Sequence, residues 1–290
     1  MRAVDSSDTA RFERAVEAVI DGDLNTLQAL LREDPNLVRA RSTRVTDGDP
    51  PVHGATLLHY LAANGVEGER QRSPKNAADV ARALLNAGAE PDALSSAYGS
   101  RCTTMTLLVS STPPARAGVQ VPLLHVLVDH GAAVTPKGEG LWTSPLLTAL
   151  AFGFKDAARA LVQRGAPVDT LAAAAGLGRL DDVRRMLPSA TADDRHRAMA
   201  FASQHGHAEI VALLLDAGED PNRYNPPGAH AHSVPLHQAI AAGHLDVVKL
   251  LVERGARLDL RDTVHQATPL GWAEYCKQPA IAGYLRNRGG

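Results

Sequence analysis

Residues 234–259, VPLHQAIAAGHLDVVKLLVERGARLD, decide how this chain is read. Two helical segments fit the stretch. The first runs from Pro235 and closes at Gly243-His244, and its alanines, Ala239, Ala241 and Ala242, allow a neighbouring helix to come close. The second spans Asp246 to Leu251 and ends at Gly255. Its Leu250, Leu251 and Val252 supply an apolar face that must be covered by something else. Glycine after a Leu-Leu pair is the expected left-handed helix cap.

The same frame recurs along almost the whole chain. Gly88, Gly131, Gly165, Gly218, Gly255 and Gly289 each follow a Leu-rich helix. The 53 residues from Gly165 to Gly218 are too many for one unit, and LAAAAGLGRLDDVRRMLPSAT lies inside them with Gly178, Asp182, Val183, Met186 and Leu187 in frame. An opening unit is visible in AVEAVIDGDLNTLQALLREDPNLV, through Gly22, Leu24, Leu27, Leu30 and Leu31. About eight units result, each unable to bury its apolar face except by stacking on the next.

Val234, Pro235, Leu236, His237 and Ala239 fill the T-P-L-H-x-A signature, and on those residues the chain resembles the ankyrin repeat family. The resemblance implies an all-α ankyrin-repeat solenoid occupying residues 1–290 as a single domain, with capping repeats at about 9–40 and 267–290. It also implies protein binding in a concave groove and on finger loops between repeats. His59 and His237 stand at the signature histidine, and His207 and His244 in Gly-His pairs, so all four are expected to be structural.

Composition fits such a stack. In 290 residues, apolar side chains make up 44% and aromatics only 4%, as small and aliphatic residues suit helix-on-helix packing. The net charge of -2 gives no global field toward nucleic acid or anionic lipid. No apolar run reaches the length of a membrane span, and MRAVDSSDTARFERAVEAV has no signal-peptide core. Cys102 and Cys276 read as reduced thiols of a cytoplasmic protein. Only five lysines stand among 30 basic residues, an arginine bias that suggests a bacterial source.

Departures from the frame point to function. Insertions at 65–78 and 110–121 separate inner from outer helix in two adjacent units. They are expected to touch and form a lobe carrying Glu67, Glu69, Arg70, Arg72, Lys75 and Arg116. The alternative function, a small-molecule or catalytic site, would lie there. The first finger, VRARSTRVTDGDPPVHGA, carries Arg39, Arg41 and Arg44, and later fingers carry Tyr98, Trp142 and Tyr224. Trp142 has two readings, a local cover over the next inner helix or a binding anchor. Near Asp169-Thr170 the finger is almost absent. In the resemblance, the two residues before each inner-helix glycine face the groove. They include Ala63 and Asn64, Ala151 and Phe152, Gly176 and Leu177, Gln204 and His205, and, least securely, Tyr275 and Cys276.

The candidate binding residues are therefore Trp142, Phe152, Leu177, Gln204, His205, Tyr224, Tyr98, Arg41 and Arg44. The partner expected is a protein or peptide, with no nucleic acid and no membrane. His207-Ala208-Glu209 matches H-x-E, but no P-C-x-x-C follows, so no zinc deaminase is indicated. His230 and His232 sit two apart on a finger with no thiolate or carboxylate nearby in sequence, and no metal is expected. Nucleotide-binding glycine motifs, H-E-x-x-H and G-x-S-x-G are absent from the sequence. No catalytic residue and no cofactor is assigned.

Overall fold

The computed structural model describes residues 6–47 and 50–290, with the side chains of residues 6 and 7 left aside. The opening MRAVD, read above for a signal peptide, and residues 48 and 49 of the first finger lie outside the described residues. The chain divides into two compact units, Met1–Pro167 and Val168–Gly290.

Four helix pairs build the first unit: α1 (Ser6–Asp21) with α2 (Leu24–Glu33), and α3 (Leu57–Leu61) with α4 (Ala77–Asn86). A hairpin, β1 (Leu94–Ala97) and β2 (Ser100–Thr103), leads into α5 (Thr104–Leu108), then α6 (Thr112–Arg116) and α7 (Gln120–Asp129). The fourth pair is α8 (Pro145–Ala151) and α9 (Lys155–Gln163). Inner helices α1, α3, α5 and α8 pack in series, and outer helices α2, α4, α7 and α9 form the second layer. Leu57 of the inner layer and Leu84, Leu123 and Leu161 of the outer one are completely buried.

In the second unit the pairs are α10 (Leu171–Gly176) with α11 (Leu180–Met186), α12 (Ala192–His205) with α13 (Ala208–Asp216), α14 (Pro235–Ala241) with α15 (Leu245–Glu253), and α16 (Pro269–Tyr275) with α17 (Pro279–Arg286). The same two-layer stacking holds there, α10–α12–α14–α16 inside and α11–α13–α15–α17 outside. Leu251, from the apolar face that opened the reading of the sequence, and Leu214 of α13 are fully buried. Eight helix pairs thus stand among the described residues, four in each unit, and the fold of each unit is an all-α stack of ankyrin-like pairs, the first with one short hairpin finger.

The signature histidines act as expected. His59 Nδ1 accepts the Thr56 amide at 3.2 Å, and His237 Nδ1 accepts the Val234 amide at 3.4 Å. Burial, opposed by backbone hydrogen bonds at Cys102 and Ala267 respectively, lowers both imidazoles to about 4. Each remains neutral at physiological pH and serves as a turn clamp.

The insertions differ from expectation. Their bases are stitched together, Ser111 Oγ donating to Ala63 O at 3.1 Å and Asn64 Nδ2 to Ser110 Oγ at 2.8 Å. Past those bases they turn to opposite neighbours, so no joint lobe forms. The first makes a 3-10 turn at Gly68–Arg70 and ties back to α1, with Arg70 reaching Glu13 at 2.6 Å and Glu17 at 3.0 Å, and Arg72 reaching Asp21 at 2.8 Å. The second folds into α6, and Ala115 and Gly118 border a cleft shared with Lys155 and Asp156 of α9. The physical reason is charge on one side and proline on the other. Acidic residues of α1 capture the arginines, and Pro113 in the first turn starts a short helix.

Candidate functional site

The site forms on the first unit, where the hairpin finger meets the inner helices. Tyr98 and Gly99 both occupy the left-handed region, φ 53° and 68°, which closes a two-residue turn between β1 and β2 and puts the tyrosine at its tip. Tyr98 is 60% exposed, yet its hydroxyl is fixed, donating to Asn64 Oδ1 at 2.6 Å. The next finger docks beside the hairpin through mutual bonds between Arg101 and Glu139, 2.8 and 3.2 Å. Gly138 makes that approach possible, since a Cβ there would stand 2.0 Å from the Arg101 carbonyl oxygen.

Docking delivers Trp142 to the groove, where its ring lies 5.2 Å from Phe152 at a 57° tilt. Phe152, the residue that caps α8, is 45% exposed. Tyr98, Trp142 and Phe152 then border one cleft of about 310 Å³, together with Asn64, Leu107 and Ser110. Trp142 thus covers Phe152 at the end of the inner helix α8, as the first of its two readings expects, and it also lines this cleft.

Other candidates are placed differently. Arg41 donates from Nη1 to Gly54 O at 2.8 Å and to Leu94 O at 2.7 Å, stapling the first finger to the hairpin. Arg44 pairs with Glu69 at 2.9 Å. Finger arginines expected to reach a partner are thus engaged within the unit, because unsatisfied loop carbonyls and carboxylates lie within their reach. The remaining four belong to the second unit. Leu177 and Gln204 are half-buried, and Tyr224 donates to Arg261 O at 2.6 Å. His205, at 4% exposure, offers a partner almost no surface, since α12 carries it inward beside the His207 ring. Among the described residues, no cluster of three or more potential metal ligands occurs.

Sequence reasoning missed a second cleft of about 440 Å³ that Tyr98 also lines, bordered by His53, Glu67, Gln71 and Ser96. Glu67 is 7% exposed. Burial pushes its carboxyl up, but hydrogen bonds from His53 and the backbone, with the nearby Arg70 charge, outweigh that and hold it at about 2. It is ionised at neutral pH. His53 carried no signal in the sequence, because its meaning arises only when the first finger folds against the first insertion.

The family model described as "Ankyrin repeats (3 copies)" matches residues 199–290. Human cyclin-dependent kinase inhibitor 2A is 35% identical over 127 residues, covering 42% of this chain and 78% of that protein. Human cyclin-dependent kinase 4 inhibitor B is 34% identical over 131 residues, covering 43% and 91%. Mouse ankyrin repeat and SAM domain-containing protein 6 is 34% identical over 110 residues, covering 38% of this chain but only 12% of its own length. These relatives are mammalian and lend no support to a bacterial source. No helix among the described residues is long and apolar enough to cross a membrane.

Proposed function

The chain belongs to the ankyrin-repeat family, and from that premise we propose a non-enzymatic module whose first unit seats a segment of a partner protein against Tyr98, Trp142 and Phe152. The carrying observation is the joining of three part-exposed rings, supplied by two fingers and one inner helix, in a single cleft with Asn64 and Ser110 at its polar edge. Large, rigid rings in a groove give a partner contact area at little entropic cost. The near-neutral charge supports a protein rather than a nucleic acid as that partner. So do the names of the two human relatives, which describe inhibitors acting on kinases. The free thiols of Cys102 and Cys276 support a cytoplasmic setting. A single domain of 1–290, with capping pairs at about 9–40 and 267–290, is part of this proposal, and one urea-unfolding transition rather than two would bear it out.

Selection of a random linear peptide display library on the full chain tests the site. Enriched peptides should lose at least about fivefold in affinity against Trp142→Ala or Phe152→Ala, the loss expected of a central interface ring. Binders indifferent to both substitutions would place the partner elsewhere.

A further inference from the structure

The aromatic cleft spends its side-chain polar groups on itself, and Asn64 stands at the centre of that circuit. Its Nδ2 donates to Ser110 Oγ at 2.8 Å and to Leu107 O at 3.4 Å. Its Oδ1 accepts from the Tyr98 hydroxyl at 2.6 Å and from the Gly65 amide at 3.0 Å. A side-chain amide has two donor hydrogens and two acceptor lone pairs, so this one is saturated. Ser110 Oγ turns its hydrogen to the Thr106 and Leu107 carbonyls, at 3.1 and 3.0 Å. Thr106 Oγ1 donates to Thr103 O at 3.1 Å, and Cys102 Sγ to Trp142 O at 3.7 Å. The Trp142 indole N–H has no partner among the described residues. It can take a main-chain carbonyl, which every peptide carries whatever its side chains.

Charge points the same way. Among the described residues, no carboxylate, ammonium or guanidinium borders the cleft. Burial pushes the Cys102 thiol up, so it too is uncharged at neutral pH. A charged side chain entering here would shed water and meet no counter-charge, and an amide or hydroxyl would meet groups already bonded elsewhere. An apolar side chain gives up no hydrogen bond and gains contact with the Trp142 and Phe152 rings. The volume of about 310 Å³ lies at the small end of ligand pockets and suits a single side chain. We propose that the cleft selects one uncharged, apolar side chain of the partner segment, and that the Tyr98–Asn64 hydrogen bond, by filling the last free acceptor of the amide, is a determinant of that specificity. This inference rests on the peptide-binding reading for its occupant, while the preference of the cleft is measurable without the partner.

The test titrates two blocked amino acids, N-acetyl-leucine amide and N-acetyl-asparagine amide, into the full, isotope-labelled chain. The two have the same backbone and side chains of nearly equal shape, and differ in polarity. The leucine probe should shift the backbone amide resonances of Asn64, Tyr98 and Phe152 with an affinity at least about tenfold above that of the asparagine probe, as one buried amide left without partners implies. Tyr98→Phe keeps the ring but leaves Asn64 Oδ1 one donor short, so the asparagine probe should gain at least about threefold on the leucine probe. Removal of one hydroxyl at an exposed tip leaves the fold in place, and a merely structural role for it would not move the ratio between the probes. Equal affinities, a preference for asparagine, or leucine-probe shifts absent from those three residues would overturn the apolar specificity. An unchanged ratio in Tyr98→Phe would overturn the part given to the Tyr98–Asn64 bond. Selected peptides that depend on Trp142 but share a charged or amide side chain and no apolar one would also overturn the specificity, while leaving the peptide reading intact. A library without Trp142-dependent binders would instead sink the peptide reading and leave the two probes to judge the cleft by themselves.

Discussion

The pair α14–α15 and the pair α3–α4 obey one frame and put it to different use. In α14–α15 the inner helix closes at Gly243 and the outer one starts two residues later, so no inserted chain lies between them. In α3–α4 the inner helix stops at Leu61 and the outer begins at Ala77, and the intervening chain supplies Asn64, Glu67 and Arg70. Both pairs keep the buried histidine that clamps the turn. Stability therefore resides in the frame, and the polar chemistry resides where the frame is opened. That division of labour can be broken by measurement.

Its strongest consequence concerns the shared frame. Leu84→Ala in the first unit and Leu251→Ala in the second remove fully buried side chains from equivalent outer helices. Each should cost about 2–5 kcal/mol in equilibrium urea unfolding. A loss below about 0.5 kcal/mol at either position would show that the two regions are not built on one register.

The clamps come next in size. Because burial depresses both imidazoles from 6.5 to about 4, the unfolded chain binds protons that the folded one refuses as pH falls. Their stabilisation is complete above about pH 6.5 and is lost progressively down to about pH 4, near 2 kcal/mol per histidine by pH 5. His59→Gln and His237→Gln should each remove about half of that slope, whatever they cost at pH 7.5. Glu67 acts in a lower window, since a carboxyl held at about 2 loses its contribution only as pH falls from about 4.5. A slope between pH 6.5 and 5 that survives both substitutions would assign it to other groups.

How far the sequence foretold this follows from the same contrast. Local rules govern the helix pairs, so one complete signature at Val234–Ala239 and the spaced glycines suffice to find the others. Phe152 and Trp142 were legible because repeat position dictates where the end of an inner helix and a finger tip will face. The internal bonds of Arg41 and Arg44 were not legible, since a long charged side chain bonds to whatever carbonyl or carboxylate the fold brings near, here Leu94 O and Glu69. His53 and Glu67 lie 14 residues apart with no periodic relation, and only the folding of a finger onto an insertion makes them a pair. The lobe failed for the same reason: neighbouring insertions share a base, but the charges of α1 decide where one of them goes.

The smallest effects should separate the binding surfaces of the two regions. Trp142→Ala or Phe152→Ala should weaken a selected peptide by more than about 1 kcal/mol while melting stays cooperative, because each ring lines the shared cleft and neither is deeply buried. Tyr224 gives the counter-case. It too is an exposed aromatic on a finger, 38% accessible, but its hydroxyl is bound to the Arg261 carbonyl and it belongs to the more regular unit. Tyr224→Ala should change the same peptide's affinity by less than about 0.5 kcal/mol, the range of a peripheral contact. Measured side by side by titration calorimetry, the substitutions decide between two accounts of an ankyrin surface. If Tyr224 matters as much as Phe152, any exposed finger aromatic binds, and the opened frame around Asn64 and Glu67 has no special part in recognition.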